Sequence, residues 1–243
     1  MNRAYLMAIC LHIFFLQIVH ACPADTIRNR YGLWVIRSGK EFVKTIHNNP
    51  EKRMCDISAM IPGILIELKY AGIDNFSHTK LYPTIRTSFL RLKAAQALKK
   101  VELELNDDSL GLNIWDAYRP YSITERMWEM VKDERYAANP RFGSGHNRGI
   151  AVDLTIVRLK DHTELDMGTG FDHFGDSAHH DFTRLETNVI ENRKRLRTTM
   201  EKHGFRALES EWWHYYFSDS NDYELLDLSF KQLSAFAASY VRH

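Results

Sequence analysis

Cysteine is scarce in this chain, with three in 243 residues. That excludes a disulfide-stapled scaffold, and no two cysteines are spaced for a zinc ribbon. A dominant charge is missing too. Lys plus Arg number 32 against 31 Asp plus Glu, giving a formal net charge of +1. The cations are scattered and form no basic stripe, so a nucleic-acid partner is not expected. No internal repeat or low-complexity tract appears, which excludes a solenoid. The apolar run Leu6–Val19 falls short of the ~20 residues that span a bilayer.

That run has a better reading. "MNRAYLMAICLHIFFLQIVHAC" opens with Arg3, passes through the apolar stretch and ends with Val19 and Ala21 at signal-peptidase spacing. Residues 1–21 are therefore expected to be a secretory signal. The mature chain is then exported, periplasmic or secreted, with no membrane span. Cys22 directly follows the cut. Its acylation is an alternative that His20 and Val19 fit poorly. In an exported protein Cys22 and Cys55 are permitted to pair. Residues 22–56 read as an N-terminal extension and 57–243 as one domain; a chain 44% hydrophobic can bury such a core.

Within the chain, "GLWVI" (32–36) suggests a short strand, and 61–72 a strand after the Pro62-Gly63 turn. Residues 83–105 carry Ile85, Phe89, Leu92 and Leu98 near helical spacing, with Thr84 as cap. Residues 112–118 read as a strand. A helix over 122–134 would start from a capping box of Ser122 and Glu125. The β-branched run 149–157 reads as a buried strand. Residues 182–205 read as a helix closed by Gly204, and 211–217 as a final strand. Helices and strands mix without regular βαβ alternation. The expected class is α+β: one domain with a central, largely antiparallel sheet flanked by helices.

Two stretches carry costly side chains. In "SGHNRGIAVDL" (144–154), Asp153 interrupts an apolar run, and glycines bracket a turn around His146. A buried carboxylate must be paired or hold a metal. A core His–Asp hydrogen bond, or Asp153 at a wet strand edge, are the alternatives. In "ESEWWHYYF" (209–217), Glu211 and His214 sit among large aromatics. On a regular strand they would face opposite ways, so Glu211 is expected at the turn entering the strand. A solvated acidic turn beside a packed histidine is the bland reading. His146, Asp153 and His214 together make a three-ligand set that leaves zinc a fourth position for water. Glu211 is then placed as general base. Arg119, where "WDAYRP" (115–120) leaves its strand, suits an oxyanion or a surface pair with Asp116.

The two stretches resemble the Ser-x-His-x-x-Gly-x-Ala-x-Asp and Glu-x-Trp-His motifs of the VanX-type zinc D-Ala-D-Ala dipeptidases. These belong to the zinc D,D-peptidases that share a fold with the hedgehog signalling domain. "LKYAGIDNF" (68–76), "WDAYRP" and "LDMGTGFDHFG" (165–175) also resemble that family's segments, in the same order, over about residues 57–217. The resemblance implies one zinc per chain, held by His146, Asp153 and His214 in a cleft on the sheet. It implies Glu211 as base and Arg119 as transition-state stabiliser. Ser144, Tyr70 and Asp172 would hold a small D,D-dipeptide, with Asp172 near its ammonium. A D,D-carboxypeptidase of peptidoglycan stems and a silent zinc-binding module are the rival functions. The His-rich stretch 172–180 offers a rival metal set of His173, Asp176, His179 and His180, or a solvated loop lining the cleft.

Overall fold

The protein is described by a computed structural model covering residues 28–217 and 223–240. The expected signal segment and Cys22 lie outside these residues. Cys55 is buried.

In chain order the first elements are β1 (Val35–Ile36), α1 (Gly39–Asn48), β2 (Met54–Asp56), α2 (Ile57–Met60) and β3 (Leu65–Ile66). Next come β4 (Phe89–Arg91), α3 (Leu92–Asn106), β5 (Leu110–Asp116), α4 (Tyr121–Val131), α5 (Gly145–Arg148) and β6 (Ala151–Arg158). The last are α6 (Thr187–Lys202), β7 (Phe205–Leu208), β8 (Glu211–Phe217), β9 (Leu225–Leu226) and α7 (Phe230–Tyr240). The main sheet runs β3-β5-β6-β8-β7. Only the β3–β5 pair is parallel; the others are antiparallel. This is the α+β architecture expected from the sequence.

Period-two alternation decides what each face of the sheet holds. On β6, Val152, Leu154 and Ile156 join a core with Leu98 and Val101 of α3 and Leu196 and Met200 of α6. Asp153 and Thr155 point the other way. A second core gathers Phe42 and Ile46 of α1 with Tyr70, Tyr118, Leu226 and Leu233. Of residues 22–56, expected as an extension, the described part contributes Ile36, Phe42, Ile46 and Met54 to a core shared with the rest of the domain.

Two irregularities aim side chains at one place. Along β5 and β6, Ile114 pairs with Leu154, but Asp116 rather than Trp115 faces Asp153. This bulge re-aims one residue, as bulges beside active sites do. Along β7 and β8, Ala207 pairs with Tyr215 and then Leu208 with Glu211. That shift frees the first residues of β8 from strict alternation.

Several boundaries differ from expectation. The helix foreseen over 83–105 begins at Leu92. Phe89–Arg91 instead pair antiparallel with Met54–Asp56, so a distant strand overrides the local period and Thr84 caps nothing. Ser122 is no N-cap, because α4 starts at Tyr121 after Pro120. Its hydroxyl and N–H both donate to Asp227 Oδ1, at 2.7 and 2.9 Å. A carboxylate from far along the chain therefore satisfies an orphan donor of the first turn. Helix α4 ends at Val131, and Lys132 caps it in the left-handed region. The strand foreseen over 61–72 shortens to Leu65–Ile66 before a 3-10 turn at Lys69–Ala71. Helix α6 starts at Thr187, and Gly204 follows it with φ +92°. Strand β8 is not the final element; β9 and α7 come after it.

Candidate active site

His146 sits on α5, a single turn built by its own sequence. Ser144 Oγ accepts from the His146 N–H at 3.2 Å, and Asn147 Oδ1 accepts from the Ser144 N–H at 2.9 Å, closing a capping box. Gly149 ends the turn at φ +70°, where a Cβ would lie 2.5 Å from Met54 Cε. Only glycine fits that exit. The Asp153 and His214 positions follow from register, since β6 and β8 place them opposite one another.

The three side chains converge. His146 Nε2 lies 3.3 Å from His214 Nδ1 and 3.4 Å from Asp153 Oδ2. His214 Nδ1 is 2.8 Å from Asp153 Oδ1. Zinc bonds of about 2.0–2.2 Å at tetrahedral angles separate ligand atoms by about 3.4 Å, so the spacing suits a small divalent ion. The donor chemistry agrees. His146 Nδ1 lies 2.7 Å from the Ala117 carbonyl, which can only accept, so Nδ1 carries the proton and Nε2 presents its lone pair. His146 and Asp153 are 2% and 3% exposed. Burial alone would raise the Asp153 pKa, but His146 and His214 outweigh it and hold the carboxyl well below its usual range. Among the described residues, no other group of His, Cys, Asp or Glu comes together as a metal-holding set.

Around this group lies a cleft of about 550 Å³. Glu211 enters it from the start of β8, with Oε2 3.9 Å from His214 Nδ1. Burial pushes its carboxyl up to about 7 despite the nearby His214. Arg119 is buried and donates from Nε and Nη2 to Asp116 Oδ2 at 3.0 and 2.8 Å. Its Nη2 is 4.0 Å from Asp153 Oδ2, and its guanidinium lies over the Tyr70 ring. Asp116 also accepts from the Tyr82 hydroxyl at 2.8 Å and the Ala117 N–H at 2.9 Å. On the other wall, Asp172 accepts from the Tyr70 hydroxyl and the Phe76 N–H, both at 3.0 Å. Burial lifts its carboxyl to about 7 against those two donors. Its φ of +56° is a left-handed conformation that non-glycine residues adopt at a cost.

With this geometry in view, comparison with known proteins is direct. The D-Ala-D-Ala dipeptidase model of peptidase family M15 matches residues 50–233. The chain belongs to that family, a group of zinc metallopeptidases. Its relatives include the D-alanyl-D-alanine dipeptidase of Escherichia coli K12, 34% identical over 78% of this chain and 96% of the relative. The D-alanyl-D-alanine dipeptidase of Enterococcus faecium is 32% identical over 67% of this chain and 90% of its own. Among solved structures, the vancomycin resistance D,D-pentapeptidase VanY of a VanB-type cassette aligns at TM-score 0.37 and 16% identity, covering 55% of this chain and 75% of that one.

Every site residue singled out in the sequence falls in or beside this M15 cleft. His146, His214, Glu211, Arg119, Ser144, Tyr70 and Asp172 line it, and Asp153 lies beneath them in the metal-competent group. The surface pair imagined between Arg119 and Asp116 exists, but buried. The rival His-rich set does not assemble. His173 and His179 line the cleft, His173 Nε2 is 2.8 Å from Ser177 Oγ, and His180 is packed against Tyr215. Sequence reasoning undervalued Asp116. Its one signal was a carboxylate three residues before Arg119, and the bulge that buries it leaves no mark in the sequence.

Proposed function

We propose that the protein is a zinc-dependent D,D-dipeptidase that hydrolyses D-Ala-D-Ala or a close analogue. The observation that carries this is the His146–Asp153–His214 group with Glu211 beside it and Asp172 across the cleft. Zinc held by those three residues would supply Lewis acidity, polarising the scissile carbonyl and acidifying a water. Glu211 takes the proton of the attacking water on its carboxylate and returns it to the leaving amine. Burial, which raises this carboxyl, favours its taking up a proton. Arg119, locked by Asp116, offers fixed N–H donors to the oxyanion as charge develops. Because Asp116 sets the guanidinium in advance, no reorganisation is needed at that moment. Asp172 receives the substrate ammonium, and Ser144 keeps its hydroxyl proton free for the other end. An anion fixed across the cleft from the metal-competent group would limit the substrate to a short peptide with a free ammonium, which favours a dipeptidase over a carboxypeptidase of long chains.

We further propose export, on the strength of residues 1–21. The deciding experiment assays D-Ala-D-Ala and an acylated D-Ala-D-Ala tripeptide with and without chelator. Zinc-restorable cleavage of the free dipeptide alone is expected. Preference for the acylated peptide would replace the dipeptidase with a carboxypeptidase. Zinc binding without hydrolysis of either would leave a silent module.

A further inference from the structure

The loop that carries Asp172 is fastened by one side chain from α6. Arg193 is 5% exposed. Its Nε donates to the Met167 carbonyl at 2.8 Å, its Nη1 to the His179 carbonyl at 3.2 Å, and its Nη2 to the Ser177 carbonyl at 2.9 Å. A longer contact of 3.4 Å joins Nη2 to Thr169 Oγ1, and the guanidinium lies over the Trp212 ring. Trp212 Nε1 donates to the same Thr169 Oγ1 at 2.8 Å. Residues 167 and 179 are the two ends of the arc that brings Asp172 to the cleft, so one guanidinium closes both ends at once.

Arg193 has no carboxylate among its hydrogen-bond partners; Asp166 acts on it only through space, and a buried cation without a paired carboxylate is expensive. Burial accordingly depresses its pKa to about 10. What the guanidinium provides is five donors in a rigid plane, which a lysine cannot reproduce. The arc draws four contacts from it. The Met167, Ser177 and His179 carbonyls lie outside the strands and α-helices, the last also accepting the Phe182 N–H at 3.3 Å, and Asp172 midway holds a left-handed backbone that has to be over-determined by its surroundings. Gly168 presses onto α6 beside it: at φ +77°, a Cβ there would lie 2.9 Å from Val189 Cγ1.

We propose that Arg193 is a positioning residue for substrate selection. It fixes the arc 167–179, and thereby the distance from the Asp172 carboxylate to the metal-competent group. This rests on the dipeptidase reading for its substrate, though not for its effect on the arc. Arg193 touches neither substrate nor metal ligand. Its removal therefore acts on substrate capture and leaves the chemical step in place.

The test compares wild type with Arg193→Lys, Arg193→Met and Arg193→Gly in the full chain. Arg193→Met is expected to raise KM for D-Ala-D-Ala at least about tenfold with kcat within about threefold, since small misplacements of a substrate anchor have effects of this size. Zinc content stays at the wild-type level. Amide hydrogen exchange quickens over 167–179 and not over 146–158. Arg193→Lys recovers only part of the KM loss, and added guanidinium ion restores Arg193→Gly. Wild-type KM and exchange in Arg193→Met would overturn the proposal. So would a parallel fall of kcat, zinc content and melting temperature, which marks a general structural role. If wild type fails to cleave D-Ala-D-Ala, the dipeptidase reading falls, and the exchange pattern still decides whether Arg193 holds the arc.

Discussion

One wall of the cleft is backbone ladder, and the other is an irregular arc tied by side chains. On the first wall, Asp153 and His214 face each other across a β6–β8 pair inside a five-stranded sheet. Shifting either one means breaking ladder bonds along the strand. On the second wall, Asp172 sits in a segment with little regular structure, held by Tyr70, the Phe76 amide and the Arg193 bonds at its ends. The difference matches the proposed division of labour. Metal ligands need tolerances of a few tenths of an ångström, which a sheet supplies. A substrate anchor must define a length, and an arc can be reset without disturbing the metal.

The sharpest way to break this contrast is on the ladder side. His214→Ala removes one of the three proposed ligands, so zinc retention should fall and turnover drop by about a thousandfold or more. Metal analysis alongside the assay checks both. Next is Glu211→Gln, which removes the proposed proton carrier and keeps the shape. It should hold zinc at the wild-type level while kcat falls about 10²–10⁴-fold. Near-normal turnover would show that the base lies elsewhere. On the arc side, Asp172→Asn should weaken capture of the free dipeptide by about 10–100-fold in kcat/KM, because a charge-assisted contact to the ammonium is lost. Slow cleavage of an N-acetylated dipeptide should be unchanged by it. Equal losses on both substrates would place Asp172 in the chemistry instead of the selection.

The smallest effect concerns stability. Glu102 on α3 is 4% exposed and accepts the Leu112 N–H, at the edge of β5 just beyond the end of β3. Burial raises its carboxyl from 4.5 to about 7. The folded state therefore holds a proton that the unfolded chain releases near pH 4.5. The cost of burying the charge grows as pH rises from about 4.5 to 7 and is complete above that window. Glu102→Gln keeps an acceptor for Leu112 and removes the charge. It should stabilise the fold by about 1–3 kcal/mol at pH 8 and by almost nothing at pH 4, as urea unfolding at the two values would reveal.

The ladder wall was far more legible in the sequence than the arc. Asp153 stood out because a carboxylate interrupts an apolar strand, and solvation cost alone asks for a partner. Glu211 and His214 stood out because polar groups among tryptophans and tyrosines need a reason. Their spacing also told that Glu211 had to lie at the strand entrance, where β7 and β8 fall out of step. The bulge that turns Asp116 toward Asp153 is invisible in sequence, since it depends on pairing between segments far apart. The same applies to Phe89–Arg91, whose helical period yields to pairing with β2. Ser122 looked like a cap because capping boxes are local patterns, whereas the carboxylate it serves comes from Asp227. Arg193 carried no signal at all. A lone arginine on a charged helix reads as surface until its acceptors are in place.

Asp172 lies between two fastened points, Phe171 within the aromatic cluster of Tyr70, Trp115 and Trp213 and the Ser177 and His179 carbonyls on Arg193. Extra residues inserted after His173 would therefore bow outward from two fixed hinges. On the proposed reading, the opening is widened toward bulkier peptides while the anchor for the amino end stays put, so substrate breadth is open to engineering at that spot with the ladder wall left intact.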